Sequence, residues 1–326
     1  MYWTKPLSDL ILTVDSITLM IGLPANLLTL YTFVRRIKQQ AMPLDVILLS
    51  LTISDLLTLI FLPIRMKEAA DMKWTLSYFL CPLKRYVMYT TIYTSTLLLT
   101  AISVERYLGV AFPIKYKQKQ NLRSATVAAV LFWVVTMAHC SFVYIVQQYE
   151  KNNNDTHAVL LSRNSCYTMF NDKQLKIILP FRLELFIVLF CIPFIICSFC
   201  YIRLILILSR LPNFNPKKRC RAIGLALVTF LVFIICFLPF NVSHLVGFIK
   251  WHSPSWTVYT LLPITFNACL DPFIFYFSSS ALRETFSQIL GGLVNRLKVS
   301  SFGRLFKCST VEKGLQNSRD SVQLTF

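Results

Sequence analysis

Seven long apolar runs constrain this chain more than any other feature. They cover roughly residues 10–34, 44–66, 81–110, 125–146, 175–207, 222–248 and 256–277. Each exceeds the ~17 residues that a helix needs to cross hydrocarbon. Lipid offers no hydrogen bonds to the backbone, so runs of this length cross as helices, which satisfy their own polar groups. The predicted fold is an all-α membrane protein, a seven-transmembrane-helix bundle. Pro63, Pro193, Pro239, Pro263 and Pro272 fall inside the runs. In a membrane bundle such prolines kink helices, and neighbouring groups satisfy the freed carbonyls.

The net charge of +18 raises the possibility of nucleic-acid binding. The placement of the charges argues against it, because only 15% of residues are charged and they cluster between the apolar runs. Arg35, Arg36 and Lys38 follow the first run. Lys115, Lys117, Lys119 and Arg123 follow the third, and Lys217, Lys218, Arg219 and Arg221 follow the fifth. Arg283, Arg296, Lys298, Arg304 and Lys307 follow the seventh. All four segments lie on one side, which the positive-inside rule makes cytoplasmic. The N-terminus is therefore expected outside.

The first ten residues carry only Lys5 as a base and no small-residue cleavage site follows. The first run is expected to act as both helix and insertion signal. The predicted organisation is an outer N-terminus (1–9), the seven-helix domain (10–280), an amphipathic eighth helix (281–297) and a disordered cytoplasmic tail (298–326). The eighth helix is read from Phe286, Ile289, Leu290, Leu293, Val294 and Leu297 at helical spacing. Asn154-Asp155-Thr156 is a glycosylation sequon in a predicted outer loop. Asn241-Val242-Ser243 fits the same pattern but lies within an apolar run and is read as chance.

Of ten cysteines, Cys140, Cys191, Cys197, Cys200, Cys220, Cys236 and Cys269 lie in the runs or at their edges and read as small apolar fillers. Cys81 and Cys166 fall on the outer, oxidising side, and a disulfide joining them is expected. Cys308, in the tail, is weighed as a palmitoylation site.

Ionisable residues inside lipid cost ~2.5–3.5 kcal/mol each at a helix centre, so they are read first as functional. Asp55 lies mid-run. Glu105-Arg106-Tyr107 closes the third run, and Arg106 sits ~37 Å along the helix from Cys81 at 1.5 Å per residue. Cys236-Phe237-Leu238-Pro239 kinks the sixth run, and Asp271-Pro272-Phe273-Ile274-Phe275 ends the seventh.

With Asn26, Trp133, Pro193 and Tyr201, these residues resemble the helix landmarks of rhodopsin-like (class A) G-protein-coupled receptors. The resemblance covers everything except the tail. It implies an allosteric sodium site at Asp55, Ser95, Asn267 and Asp271, for which the bland alternative is a polar core network. It implies an activation switch of Glu105, Arg106, Tyr107, Tyr201, Phe237, Pro239, Pro272 and Phe275. In that switch Arg106 is held by Glu105 when inactive and turns to Tyr201 when the sixth helix pivots at Pro239. Three departures stand out. Phe237 replaces the usual Trp, Phe275 replaces the usual Tyr, and Arg219 stands where many members place an acid that locks onto Arg106.

Within the class the chain is most similar to the free fatty acid receptors, near the short-chain branch. The segments that carry this are Gly22-Leu-Pro-Ala-Asn26, Val104-Glu-Arg-Tyr-Leu-Gly-Val-Ala-Phe-Pro113, Leu179-Pro-Phe-Arg182-Leu-Glu184, Asn241-Val-Ser-His244-Leu-Val-Gly247 and Phe275-Tyr-Phe-Ser-Ser-Ser280. The resemblance implies a carboxylate gripped by Arg182 and His244. A guanidinium can pair bidentately with such a group and has no neutral form to escape into. The family's arginine near the top of the seventh helix is Thr257 here, and its acid after Cys166-Tyr167 is Thr168. Arg85, with Arg65, is expected to supply the second positive contact, and Tyr89 to face the same mouth. Tyr93 is expected to pack. His139 matches a polar position of the pocket, with a satisfied interhelical histidine as an equal alternative.

The resulting expectation is a receptor for a small anionic metabolite, a short-chain fatty acid first. Its expected partners are a heterotrimeric G protein of the Gi/o or Gq type, arrestin and membrane lipids, with no nucleic acid and no cofactor beyond sodium. A hydroxy acid or a nucleotide shares the same features, and a constitutively active receptor without ligand is a further alternative. A transporter is disfavoured because paired broken helices and repeat symmetry are missing. No metal spacing, nucleophile elbow or phosphate loop suggests an enzyme. Ser300, Ser301, Ser309, Thr310, Ser318 and Ser321 are candidate kinase sites for arrestin recruitment.

Overall fold

The computed structural model describes residues 3–40, 42–119, 121–151, 166, 170, 172–211, 215–278 and 282–288. It divides into two compact units, residues 1–278 and 279–326. In the second unit residues 282–288 are described and are helical. The rest of the expected eighth helix, the tail with Cys308 and its serines, Asn154 and Thr168 lie outside the described residues.

The first unit is helical, with no strand among the described residues. Its elements are α1 (Lys5–Gln40), α2 (Pro43–Asp71), α3 (Leu80–Ala111), α4 (Pro113–Lys119), α5 (Leu122–Cys140), α6 (Phe142–Lys151), α7 (Asp172–Phe186), α8 (Ile192–Arg210), α9 (Pro216–Lys250) and α10 (Thr257–Ser278). Among the described residues seven spans are long and apolar enough to cross a bilayer. The fourth continues from α5 into α6, and the fifth joins α7 to α8 through a π-turn at Ile187–Cys191. That turn precedes Pro193, whose ring would clash with the carbonyl four residues back in an unbroken α-helix. Widening the helix by one residue removes the clash, so the expected kink appears as a π-bulge. Pro63, Pro239, Pro263 and Pro272 stay inside continuous helices.

The third span is the most enclosed, with 72% of its apolar window buried against 33% for the first, fourth and sixth. It is therefore the central post, and α2, α5 and α8 pack around it. Large apolar side chains such as Met20, Ile60, Ile195 and Ile235 point outward, as expected of a surface solvated by lipid tails.

Short polar ties set the helix register. Asn26 donates to the Ala268 carbonyl (2.7 Å), joining α1 to α10. Trp133 donates to the Ser50 hydroxyl (3.0 Å), joining α5 to α2. The Thr94 and Thr136 hydroxyls meet at 2.6 Å between α3 and α5. Gly22 sits against Leu59, where an added Cβ would come within 3.2 Å of a methyl group. Asn241, of the second sequon, is fully buried in α9 and donates to the Phe237 carbonyl.

Candidate functional site

The disulfide Cys81–Cys166 is present, with Cα atoms 5.6 Å apart. It fixes Cys166 at the start of α3, against Trp74 in the α2–α3 connection. Around this end of the bundle stand the predicted ligand residues.

Arg182 lies in the third turn of α7 and is 6% exposed. Its Nη1 donates to the Ser253 hydroxyl at 3.0 Å. Its guanidinium carbon sits 5.3 Å from the centre of the Phe170 ring, a cation–π contact. Its Nε has no acceptor. Among the described residues no carboxylate lies within ion-pair distance of Arg182. A buried cation with only neutral partners is a costly arrangement unless something else supplies the negative charge.

His244, on α9, is 2% exposed, and its Nε2 has no hydrogen-bond partner. Its ring packs against Phe240 (4.5 Å) and Tyr89 (6.0 Å). Tyr89 in turn touches Phe142, Phe240 and Tyr93. The site wall is thus an aromatic cage from α3, α6 and α9 around the imidazole. Tyr93 packs in this cage and also donates to the Asn241 side chain (3.3 Å), a hydrogen bond that sequence reading did not anticipate.

The other basic residues are engaged to differing extents. Arg85 donates to the Cys166 carbonyl (3.2 Å), while its Nε lacks an acceptor. Arg65 pairs through Nε with Asp15 at 3.0 Å, tying α2 to α1, and its two Nη groups are unpartnered. Lys84 pairs with Glu68 between α3 and α2, beneath the Trp74 ring. His139 pairs with Glu184 (3.0 Å), joining α5 to α7. The structure thus brings Arg182, His244, Tyr89 and Arg85 to one end of the bundle. It gives Arg65, Lys84 and His139 acidic partners.

Sequence reading missed Asp15, Glu68, Glu184, Ser253 and Phe170. Asp15 had a readable signal, since an acid in the middle of an apolar run requires a buried partner. Ser253 and Phe170 had none, because both lie in connections whose path the sequence pattern does not specify.

Deeper in the bundle, Asp55, Ser95 and Asn267 line a cavity of about 20 Å³. One Asp55 oxygen and the Asn267 carbonyl oxygen have no hydrogen-bond partner. Asn267 donates to Asp271 at 2.8 Å, and Ser95 meets the Ser54 hydroxyl at 2.9 Å. Two orphaned oxygens beside such a void suit a small cation or a water.

At the other end of α3, Glu105 accepts from the Tyr116 hydroxyl of α4. Arg106 donates to the Thr229 hydroxyl of α9 at 3.3 Å. Tyr107 packs on Phe199 and Phe112, and Tyr201 is buried against Phe230. Phe237 stacks on Phe233 (5.5 Å), and Phe275 meets Phe33 (6.2 Å). Pro239 and Pro272 lie inside α9 and α10.

Residues 25–275 match the model of the 7 transmembrane receptor (rhodopsin family). The chain is 44% identical over 294 residues to Free fatty acid receptor 3 of Mus musculus, covering 90% of this chain and 88% of that one. It is 46% identical over 292 residues to Free fatty acid receptor 2 of Homo sapiens, covering 89% and 87%. It is 30% identical over 342 residues to P2Y purinoceptor 8 of Gallus gallus, covering 99% and 94%. These matches span the helices that carry Arg182, His244 and Arg106. The chain is accordingly a multi-pass plasma-membrane protein and a signalling receptor rather than an enzyme, and it belongs to the rhodopsin family of seven-transmembrane receptors, close to the free fatty acid receptors.

Proposed function

We propose that this receptor responds to small monocarboxylates, the short-chain free fatty acids, with the carboxylate gripped by Arg182 and His244 and assisted by Arg85. The observation that carries the reading is the buried Arg182 guanidinium, whose described partners are all neutral. An incoming carboxylate supplies the missing charge, and Nε together with the remaining Nη gives it a bidentate seat. The Tyr89 and Phe240 rings beside His244 offer apolar contact to a short tail. So small a ligand buries little area, so affinity is weak.

Another anion, such as a hydroxy acid or a nucleotide, is the competing reading. It draws support from Arg65, whose Nη groups lack acceptors. The pairing of Arg65 with Asp15 and of Lys84 with Glu68 leaves fewer cations for a highly charged ligand and favours a single negative charge. The more similar relatives, free fatty acid receptors 2 and 3, support the same choice.

In this reading the Cys81 end and the N-terminus face outward. Ligand binding lets α9 pivot at Pro239, freeing Arg106 toward Tyr201 and opening the inner face to a G protein of the Gi/o or Gq type. Arrestin follows on the phosphorylated tail. Asp55 and Asn267, with Ser95 beside them and Asp271 behind Asn267, form an allosteric sodium site, supported by the orphaned oxygens at the cavity. Bound sodium favours the inactive arrangement. The test is a dose–response series with acetate and propionate on cells expressing wild type, Arg182→Ala, His244→Ala and Arg85→Ala. Wild type responds and Arg182→Ala does not. Normal responses in all three variants overturn the reading.

A further inference from the structure

Resting on the carboxylate reading, the geometry assigns Ser253, in the α9–α10 connection, as the residue that orients Arg182 for its ligand. We infer that this hydroxyl takes a positioning task at the mouth where Thr257 stands in place of the arginine that the family resemblance implies. Ser253 is thus a positioning residue that orients Arg182 and leaves its charge available, while the ligand itself is bound by Arg182.

Three features place it. First, α9 ends in a tight reversal. The Trp251 N–H bonds to the Phe248 carbonyl (3.3 Å) and the His252 N–H to the Gly247 carbonyl (3.2 Å), the paired bonds of a Schellman cap. The left-handed position of this cap is occupied by Trp251 at φ 54°, where glycine is the usual choice. A tryptophan is retained there, with its ring on Phe248 at 6.0 Å. Second, Gly247 lets the returning chain lie close. A Cβ there would come within 3.3 Å of both the His252 carbonyl oxygen and Pro254. Third, the reversal ends with the Ser253 hydroxyl 3.0 Å from Arg182 Nη1.

The consequence concerns which edge of the guanidinium is free. Phe170 covers one face and Ser253 takes Nη1. The edge that carries Nε, which lacks an acceptor, is left for the ligand. Arginine binds carboxylates through such two-nitrogen edges, and a fixed rotamer loses less freedom on binding. A neutral hydroxyl can hold Arg182 without consuming its charge, whereas a carboxylate at the same place would replace the ligand. Position 253 therefore decides whether the site takes an external anion at all.

The experiment compares Ser253→Asn, Ser253→Asp and Ser253→Ala in the full-length receptor, with propionate dose–response and surface labelling of intact cells. Asn retains a neutral hydrogen-bonding group and keeps potency within about threefold of wild type. Ala loses the tie and weakens potency by about fivefold. Asp neutralises Arg182 internally and weakens potency by about a hundredfold or more, at undiminished surface level. A loop with only a structural role treats Asn and Asp alike, so equal effects of those two overturn the assignment, as does wild-type potency in all three. Should Asp fail to reach the surface, the Asn–Ala difference decides, and its absence overturns the assignment. Arg182→Ala runs in parallel. Wild-type propionate potency there sinks the carboxylate reading itself, whereas its silence combined with matching Asn and Asp curves sinks only the role of Ser253.

Discussion

Arg106 of α3 donates to the hydroxyl of Thr229 on α9 at 3.3 Å, so the third and sixth spans are joined by a charged donor and a neutral acceptor. Thr229 also donates back to the Leu225 carbonyl (2.7 Å), which fixes its oxygen toward α3. It lies about three helical turns from Pro239, on the arm that must swing if α9 pivots there. The tie opposes that swing.

Thr229→Val keeps the side-chain shape and removes the acceptor. Losing one hydrogen bond to a charged group shifts the resting equilibrium by ~1.5 kcal/mol, or about tenfold. Basal GTPγS binding in membranes should rise by that factor, and Thr229→Ser should restore the resting level. An unchanged basal rate in Thr229→Val would show that the contact does not restrain α9.

Asp15 is fully buried and pairs with Arg65 at 3.0 Å. Asp15→Ala leaves a guanidinium without its counter-charge inside the bundle, which costs ~3–5 kcal/mol. Thermal melting of detergent-solubilised receptor should show a clear loss of stability. The double variant Asp15→Asn with Arg65→Gln should recover part of it, since breaking a buried pair is worse than removing both charges.

Gly247→Ala should separate loop placement from helix stability. Alanine favours the helix by ~1 kcal/mol over glycine. Its Cβ nevertheless presses on His252 and Pro254 and displaces the connection that carries Ser253. The expected outcome is normal surface expression with propionate potency reduced by about fivefold. Unchanged potency would mean that the connection yields without moving Ser253.

Asp55→Asn should abolish the effect of sodium on agonist potency. Replacing sodium chloride with choline chloride should raise wild-type propionate potency under the proposed reading, in which bound sodium favours the inactive arrangement. The variant should give superimposable curves in the two salts. A sodium effect that persists in Asp55→Asn would assign the cavity to water and the four residues to a polar core network.

Much of the architecture was legible beforehand. The seven runs predicted seven spans, and the side of the bundle assigned to Cys81 and Cys166 predicted their disulfide. Asn26, Trp133 and Pro193 each do local work that their chemistry suggests, as an interhelical tie, an indole donor and a break in the α-helix. The candidate site was legible in part. Arg182 and His244 were singled out, but Arg65 and His139 could not be separated from them because each is simply a polar residue at the same end. Their acids, Asp15 and Glu184, come from other helices.

What the amino-acid order determined alone is whatever depends on distance along the chain: span length, charge sidedness, proline positions and the Glu105-Arg106-Tyr107 step. Hydrophobic transfer and backbone hydrogen bonding act residue by residue, so they can be read without a fold. The tertiary structure alone decided which charges cancel and which do not. Electrostatic pairing in a low-dielectric bundle depends on contacts of about 3 Å between helices far apart in sequence. Asp15 neutralising Arg65, and Ser253 leaving Arg182 with its charge intact, are contacts of that kind.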